Sequence, residues 1–298
     1  MKTLVIIPCY NEEENLDRVV ERLHAAAPDV DYLIVNDCST DGSAALCRAR
    51  GYNYISLPVN LGIGGGVQSG YLYAREHGYD VTVQMDGDGQ HNPLFLADVV
   101  RPVAEGRLDM CIGSRFITKE GFQTSFMRRL GINFISVMIR LLCGVRILDT
   151  TSGFRACNKE LTAYFADHYA QDYPEPEAII TAVLNGYRVG EAPVVMEERM
   201  GGKSSISPFK SVYYMVKVSI ALVVFRITSG RRKEGRARAG RASALSCVSA
   251  FCWVRCAILP SSCGCSKRKS SRCGTPSSGS FRPECCSFSQ YFLMSFWC

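Results

Sequence analysis

The chain has 298 residues and 47% hydrophobic content, enough for one large or two small domains with a packed core. Its formal charge of +6 divides unevenly, with a net of +10 in residues 231–298 and −4 in residues 1–230. The larger part is thus mildly acidic, which excludes a nucleic-acid-binding stripe there, and nucleic acid is not an expected partner.

Thr3–Ile7 reads as a short apolar strand ended by Pro8-Cys9-Tyr10-Asn11. It is too short for a signal-peptide core, so no export signal is expected. Asn11 is the expected N-cap of a helix whose first turn holds Glu12, Glu13 and Glu14, where the dipole favours negative charge. Leu16, Val19, Val20 and Leu23 follow at helical spacing. Tyr32–Val35 is a second strand, closed by the turn-rich Asn36–Ser43, and Ala44–Arg50 is a helix. Tyr52–Leu57 is a third strand. Leu61–Gly66 reads as a glycine-rich loop and Val67–His77 as a helix. Gly62-x-Gly64-x-x-Val67 lacks the third glycine of a dinucleotide fingerprint and follows the wrong strand, so its glycines read as close helix packing.

Val81–Gln84 is a β-branched strand that runs into Met85-Asp86-Gly87-Asp88-Gly89-Gln90. In an extended chain, residues i and i+2 point the same way, so Asp86 and Asp88 are expected to face one point. Two oxygen ligands at a strand's carboxyl end suit a hard cation, Mg²⁺ or Mn²⁺, which takes its other ligands from water and phosphate. The plain alternative is an Asp-Gly turn.

A helix from Pro93 to about Glu105 and a strand at Met110–Ile112 complete an alternation that implies a mostly parallel sheet with helices on both faces. Ligands in such sheets bind outside the carboxyl ends of the strands. Beyond lie a helix at Phe126–Cys143 carrying Arg128, Arg129 and Arg140, and a polar turn at Thr150–Arg155. Glu175 and Glu177 open a helix to about Leu184, and Arg188–Met196 is a strand. A loop with Arg199 and Lys203 leads to an apolar helix, Pro208–Ile227. The six cysteines between Cys9 and Cys157 stand singly, as reduced intracellular thiols do.

Five motifs in order resemble the family-2 nucleotide-sugar glycosyltransferases, especially the branch of dolichyl-phosphate mannose synthases and bacterial polyprenyl-phosphate sugar transferases. They are Pro8-Cys9-Tyr10-Asn11-Glu12, Asn36–Gly42, Asp86-Gly87-Asp88-Gly89-Gln90, Gly113-Ser114-Arg115 and Thr151-Ser152-Gly153-Phe154-Arg155. The resemblance covers about residues 2–228. It implies an α/β fold of GT-A type: a single αβα domain with a mostly parallel central sheet, followed by a C-terminal amphipathic helix and an irregular tail.

It also implies roles. Pro8, Tyr10, Asn11, Glu12, Asp37 and Gly62 would hold the nucleotide part of the donor. Asp86 and Asp88 would straddle the sugar diphosphate with the metal, Asp88 being the direct catalytic ligand, and Gln90 and Arg115 would add donor contacts. Arg155, Arg199 and Lys203 would bind the acceptor's phosphate, because guanidinium geometry suits phosphate oxygens. The alternative for each arginine is an ion pair. Glu175 or Glu177 would be a general base for a hydroxyl acceptor; Glu177 is the candidate, and helix-dipole complementarity is the alternative for both. The expected reaction is inverting transfer of one sugar from a UDP- or GDP-sugar to polyprenyl phosphate. The alternatives are a hydroxyl of a cell-envelope glycan, or a non-catalytic nucleotide-sugar-binding subunit. The Q-x-x-R-W motif of processive members is absent, since no Trp precedes Trp253. That favours single-sugar transfer.

Residues 206–228 contain no uninterrupted span of the ~20 apolar residues that cross a bilayer, and they read as a helix lying in the membrane interface. The expected partners are therefore a membrane surface and a small membrane protein, with the chain cytoplasmic and peripheral on the inner face of the cell membrane. The glycosyltransferase domain is expected at residues 1–230. Residues 231–298 hold nine Cys, 14 Ser and no Asp or His, with no zinc-ligand spacing. They are expected to be a disordered tail produced by a frameshift or read-through, with a disulfide scaffold or a basic tail that binds anionic membrane as the alternatives.

Overall fold

The computed structural model describes residues 1–123, 125–171, 174–198, 219–220 and 223–224. All of them belong to the first of the two units into which the chain divides, Met1–Ala239. Arg199, Lys203, nearly all of the expected interfacial helix and the whole of residues 231–298 lie outside the described residues.

The strands are β1 Thr3–Cys9, β2 Asp31–Asn36, β3 Tyr54–Ser56, β4 Val81–Gln84, β5 Met110–Ser114, β6 Arg155–Asn158 and β7 Val189–Pro193. The helices are α1 Glu13–Ala26, α2 Ser43–Arg50, α3 Gly62–Glu76, α4 Leu96–Ala104, α5 Phe126–Cys143, α6 Lys159–Asp167 and α7 Pro174–Leu184. One sheet runs in the order β3-β2-β1-β4-β6-β5-β7. The pairs among β1, β2, β3 and β4 are parallel, as is β5 with β7, whereas β6 is antiparallel to both its neighbours. The expected mostly parallel sheet is present, but β6 and α6 were not legible in the sequence.

The apolar run of β1 is continuous because both faces of the sheet are covered. Leu4 and Ile6 enter one core with Val67 and Tyr71 of α3 and Phe165 of α6. Val5 and Ile7 enter the other with Leu16, Val19, Val20 and Leu23 of α1 and Val99 of α4. Each such buried side chain contributes roughly 1.5–3 kcal/mol. The glycines of α3 fix its distance from the sheet: a Cβ on Gly70 would lie 2.3 Å from Cγ2 of Ile6. The expected loop at Leu61–Gly66 is therefore corrected, since its glycines form the first turns of α3 and serve packing.

The antiparallel β6 decides what gathers at one edge. β1, β2 and β4 all end there, and β6 begins there, with Arg155 paired to Gln84 at the end of β4. The loops 8–12, 36–42, 85–91 and 150–155 thus converge, although the last lies far along the chain.

Candidate active site

The first two loops brace each other. Asn11 has a φ of +57° and is not the helix N-cap that its position suggests. Its Oδ1 instead accepts the Thr40 N–H at 2.8 Å, and its own N–H donates to Ser39 Oγ at 3.0 Å. The open N–H groups of α1 are satisfied from the other loop: Glu12 N–H donates to Ser43 Oγ (3.1 Å) and Glu13 N–H to Asp41 Oδ2 (3.1 Å). Tyr10 remains exposed, and Pro8 lies inside β1, which runs one residue further to Cys9.

Asp37 is buried, and its Oδ1 accepts the Leu61 N–H at 2.7 Å. Burial pushes its carboxyl above the usual aspartate range, and the N–H groups of Leu61 and Gly62 partly oppose that. Gly62 adopts a φ of +75°, a conformation open to glycine at little cost, where α3 begins. One oxygen of Asp37 therefore orders the start of α3.

Asp86 and Asp88 do not sit on the strand, which ends at Gln84. They occupy the turn after it, so the alternation argument for a shared direction does not apply. Asp86 is held on three sides. Its Oδ1 accepts from Gln84 Nε2 (3.2 Å), and its backbone N–H donates to His91 Nδ1 (3.0 Å). His91 Nε2, which carries the ring proton when Nδ1 accepts, lies 3.7 Å from Asp86 Oδ2. His91 is buried and stacks on Phe154 at 5.2 Å between ring centres. Opposite, a Cβ on Gly153 would lie 2.7 Å from Asp86 Oδ2, so only a residue without a side chain fits there. Asp88 Oδ1 accepts the Gln90 N–H at 3.1 Å. Gly87 packs against the carbonyl of Pro8, so this turn meets the first loop.

Among the described residues, no group of three or more His, Cys, Asp and Glu could enclose a metal ion. Two carboxylates in a polar turn still fit a hard divalent cation that draws its remaining ligands from water and phosphate. Gly153 lets the 150–155 turn pack directly on the Asp86 carboxylate, which fills the volume a side chain would need.

Two expected phosphate-binding arginines are otherwise engaged. Arg115 is 5% exposed and makes a two-pronged ion pair with the fully buried Asp149, Nε to Oδ2 at 2.7 Å and Nη2 to Oδ1 at 3.1 Å. Asp149 is positioned by β7, whose Glu191 accepts the N–H groups of Leu148 and Asp149, each at 2.8 Å. Arg155 is 0% exposed. Its guanidinium donates to the carbonyls of Ser152 (2.5 and 3.2 Å) and Glu175 (3.1 Å). The assignment of Arg155 to acceptor phosphate is corrected on this ground: a guanidinium sealed from solvent and donating to backbone carbonyls ties the 150–155 turn to α7. Arg115 likewise builds the site's wall and does not face its opening.

Arg155 and Asp86 both influence Glu175. Burial raises its carboxyl above the usual glutamate range, which Arg155 opposes and Asp86 reinforces. Glu177 is half-buried, two positions further into the first turn of α7. Arg129, like Arg128 and Arg140 of α5, has no role that its sequence position implies. It lies 3.4 Å over the Phe116 ring, and its buried Nη1 has no hydrogen-bond partner. Burial, helped by the nearby Arg115 charge and opposed by Asp149, holds its guanidinium below the usual arginine range.

The chain also returns to the D-x-D turn after β7. Glu197 N–H donates to the Gln90 carbonyl at 3.0 Å, and its carboxylate pairs with Arg22 of α1 at 2.5 and 3.0 Å. The described segment thus runs beside Gln90 up to Glu198, next in sequence to Arg199. Gln84, His91, Asp149 and Gly153 were given no role on sequence alone. His91 stood within the D-x-D stretch, and Asp149 stood just before the Thr-Ser-Gly-Phe-Arg motif, but their partners are set by long-range packing.

Residues 4–165 match the family model described as glycosyl transferase family 2. Polyprenol monophosphomannose synthase of Mycolicibacterium smegmatis is 34% identical over 231 residues, covering 73% of this chain and 86% of that protein. Undecaprenyl-phosphate mannosyltransferase of Micrococcus luteus is 33% identical over 219 residues, covering 70% and 88%. Among solved structures, glucosyl-3-phosphoglycerate synthase from Mycobacterium tuberculosis in complex with Mn²⁺, UDP and glucosyl-3-phosphoglycerate matches with a TM-score of 0.57. That match has 19% identity and covers 76% of this chain and 79% of the other. It shows a shared α/β architecture, in line with the GT-A expectation.

Proposed function

The chain belongs to glycosyl transferase family 2 and is a glycosyltransferase, and on that premise we propose that it moves one sugar from a UDP- or GDP-sugar to a polyprenyl phosphate. The observation that carries this is the meeting of the Pro8–Glu12, Asn36–Gly42 and Asp86–Gln90 loops at one sheet edge, with the Asp86 carboxylate packed against Gly153 of the Thr151–Arg155 motif. The names of the two mannosyl-transferring relatives support a lipid-phosphate acceptor.

In this reading the first two loops, with Asp37, hold the nucleoside. Asp86 and Asp88 would hold Mg²⁺ or Mn²⁺ at the sugar diphosphate, in keeping with the Mn²⁺ of the structural relative. A divalent cation there supplies Lewis-acid stabilisation for the departing diphosphate. An acceptor phosphate oxygen attacks the anomeric carbon, the bond from that carbon to the diphosphate oxygen breaks, and the configuration inverts. A phosphate monoester is already ionised near neutral pH, so neither Glu175 nor Glu177 is needed as a strong base. Arg129, with a buried guanidinium nitrogen lacking a partner, is the described cation best suited to the acceptor's phosphate. Arg199 and Lys203, which lie outside the described residues, are retained as further candidates for that phosphate.

The catalytic unit in this proposal is residues 1–230, and it works at the inner face of the cell membrane. No described helix is long and apolar enough to cross a membrane, so contact at the surface is the form proposed. A thermal-shift panel of UDP- and GDP-sugars, with and without Mn²⁺, tests the donor half. One sugar nucleotide should raise the melting temperature only with metal, and a panel in which none does so would remove the reading.

A further inference from the structure

Helix α5 is apolar on two sides. Ile132, Ile135 and Ile139 are at most 2% exposed and enter the domain. On the other side Phe126 is 79% exposed, Leu130 54%, Phe134 48%, Val137 55% and Leu141 76%. These five recur every three or four residues, so they form one stripe of the helix. At 1.5 Å per residue it is about 22 Å long. Scattered exposed apolar side chains need no explanation, but a continuous stripe of five large ones marks an interaction surface.

The charges around the stripe indicate what covers it. Residues 126–143 contain Arg128, Arg129 and Arg140 and no Asp or Glu, and Arg146 follows directly. Arg128, Arg140 and Arg146 are exposed. A second copy of this face would bring both sets of arginines together with no acid between them. Residues 199–298 carry a net charge of +15, so they have the same sign as the stripe's surroundings. An anionic bilayer has the opposite sign and accepts the apolar stripe. Three arginines in 18 residues suit a helix lying along the surface.

We propose that the outer face of α5 docks the enzyme on an anionic membrane, with Phe126, Leu130, Phe134, Val137 and Leu141 entering the acyl boundary and Arg140 and Arg146 at the headgroups. This deepens the lipid-phosphate reading and rests on it for its purpose. Helix α5 packs on α7, and Arg128 in its first turn acts electrostatically on Glu175, which in turn feels Asp86. Docking along α5 therefore brings the site against the layer where an acceptor's phosphate lies.

The test is flotation of the full chain with vesicles of phosphatidylcholine alone, or with one-third phosphatidylglycerol. Wild type should float with the anionic vesicles. The Leu130→Ser/Phe134→Ser/Leu141→Ser variant should bind them at least about tenfold more weakly. Arg140→Gln/Arg146→Gln should lose the preference for phosphatidylglycerol. Both variants should melt like wild type and turn over a water-soluble short-chain polyprenyl phosphate equally. Equal flotation of the serine variant would overturn the proposal. So would a vesicle-independent dimer that the serine variant dissolves, which would assign the face to a second copy. Unchanged flotation with a sharply lower melting temperature would overturn it too, since the face would then be covered by the chain's own remaining residues. Stripe-dependent flotation without any transfer to lipid phosphate would support docking and remove only the acceptor reading.

Discussion

The carboxylate of Asp86 occupies the space that a side chain on Gly153 would need: an added Cβ would stand 2.7 Å from Oδ2 and 2.8 Å from Oδ1. The two residues come from different loops, and their contact is how the Thr151–Arg155 motif reaches the D-x-D turn. Gly153→Ala should therefore displace the carboxylate. Transfer should fall at least about tenfold while the domain stays folded, because an off-position group of this kind costs on the order of 1–2 kcal/mol. Steady-state kinetics with circular dichroism checks this, and wild-type turnover would show that Asp86 need not sit where it does.

The metal prediction follows from the same turn. Asp88→Asn should retain the fold and lose most divalent-dependent transfer, on the order of a hundredfold, because a neutral amide is a poor ligand for a hard cation. Titrating Mn²⁺ against activity checks it: the variant should need more metal and reach a lower maximum.

The Arg115–Asp149 pair is predicted to be structural. Asp149 is 0% exposed and Arg115 5% exposed. Removing one partner leaves a buried charge alone, which costs roughly 3–5 kcal/mol. Asp149→Ala should thus lower denaturant stability strongly. Arg115→Met with Asp149→Leu should recover much of that loss, a coupling that a double-mutant cycle reads directly.

Arg129 should behave differently. Its guanidinium already has an unsatisfied buried nitrogen, so Arg129→Gln should not destabilise the domain. If it meets the acceptor's phosphate, the variant should raise the acceptor KM about tenfold or more, the worth of one charge-assisted hydrogen bond, with donor affinity unchanged.

Asp37 supplies a pH dependence. Its folded-state carboxyl is pushed up, chiefly by burial, so the folded protein binds this proton more tightly than the unfolded chain does. Its protonated form therefore favours folding below the unfolded-state value, and that contribution is lost as pH rises through the folded value. Relative to Asp37→Asn, which cannot ionise, wild type should lose stability as pH rises from the ordinary aspartate range upward. Melting curves of donor-free protein across acid to neutral pH check this, and a constant difference between the two would remove the assignment.

Much of this was legible beforehand for local reasons. The alternation of β1, α1, β2 and α2, the span of α5 and the two carboxylates after β4 all follow from short-range pattern. What was not legible depends on chain reversal. The four residues of β6 carry too little pattern to reveal an antiparallel strand, so the burial of Arg155 could not be anticipated. Asn11 looked like a helix cap because capping from a distant loop leaves no local signal. Arg115 looked available because its partner, Asp149, is set by Glu191 on the sheet's edge strand.

The most direct measurement of the central claim is transfer of labelled sugar from a UDP- or GDP-sugar to a short-chain polyprenyl phosphate, with Mn²⁺ and with chelator. The account predicts a lipid-extractable product carrying one sugar, formed only with metal and largely lost in Asp88→Asn. Metal-independent transfer, or label found only in free oligosaccharide or polymer, would contradict it.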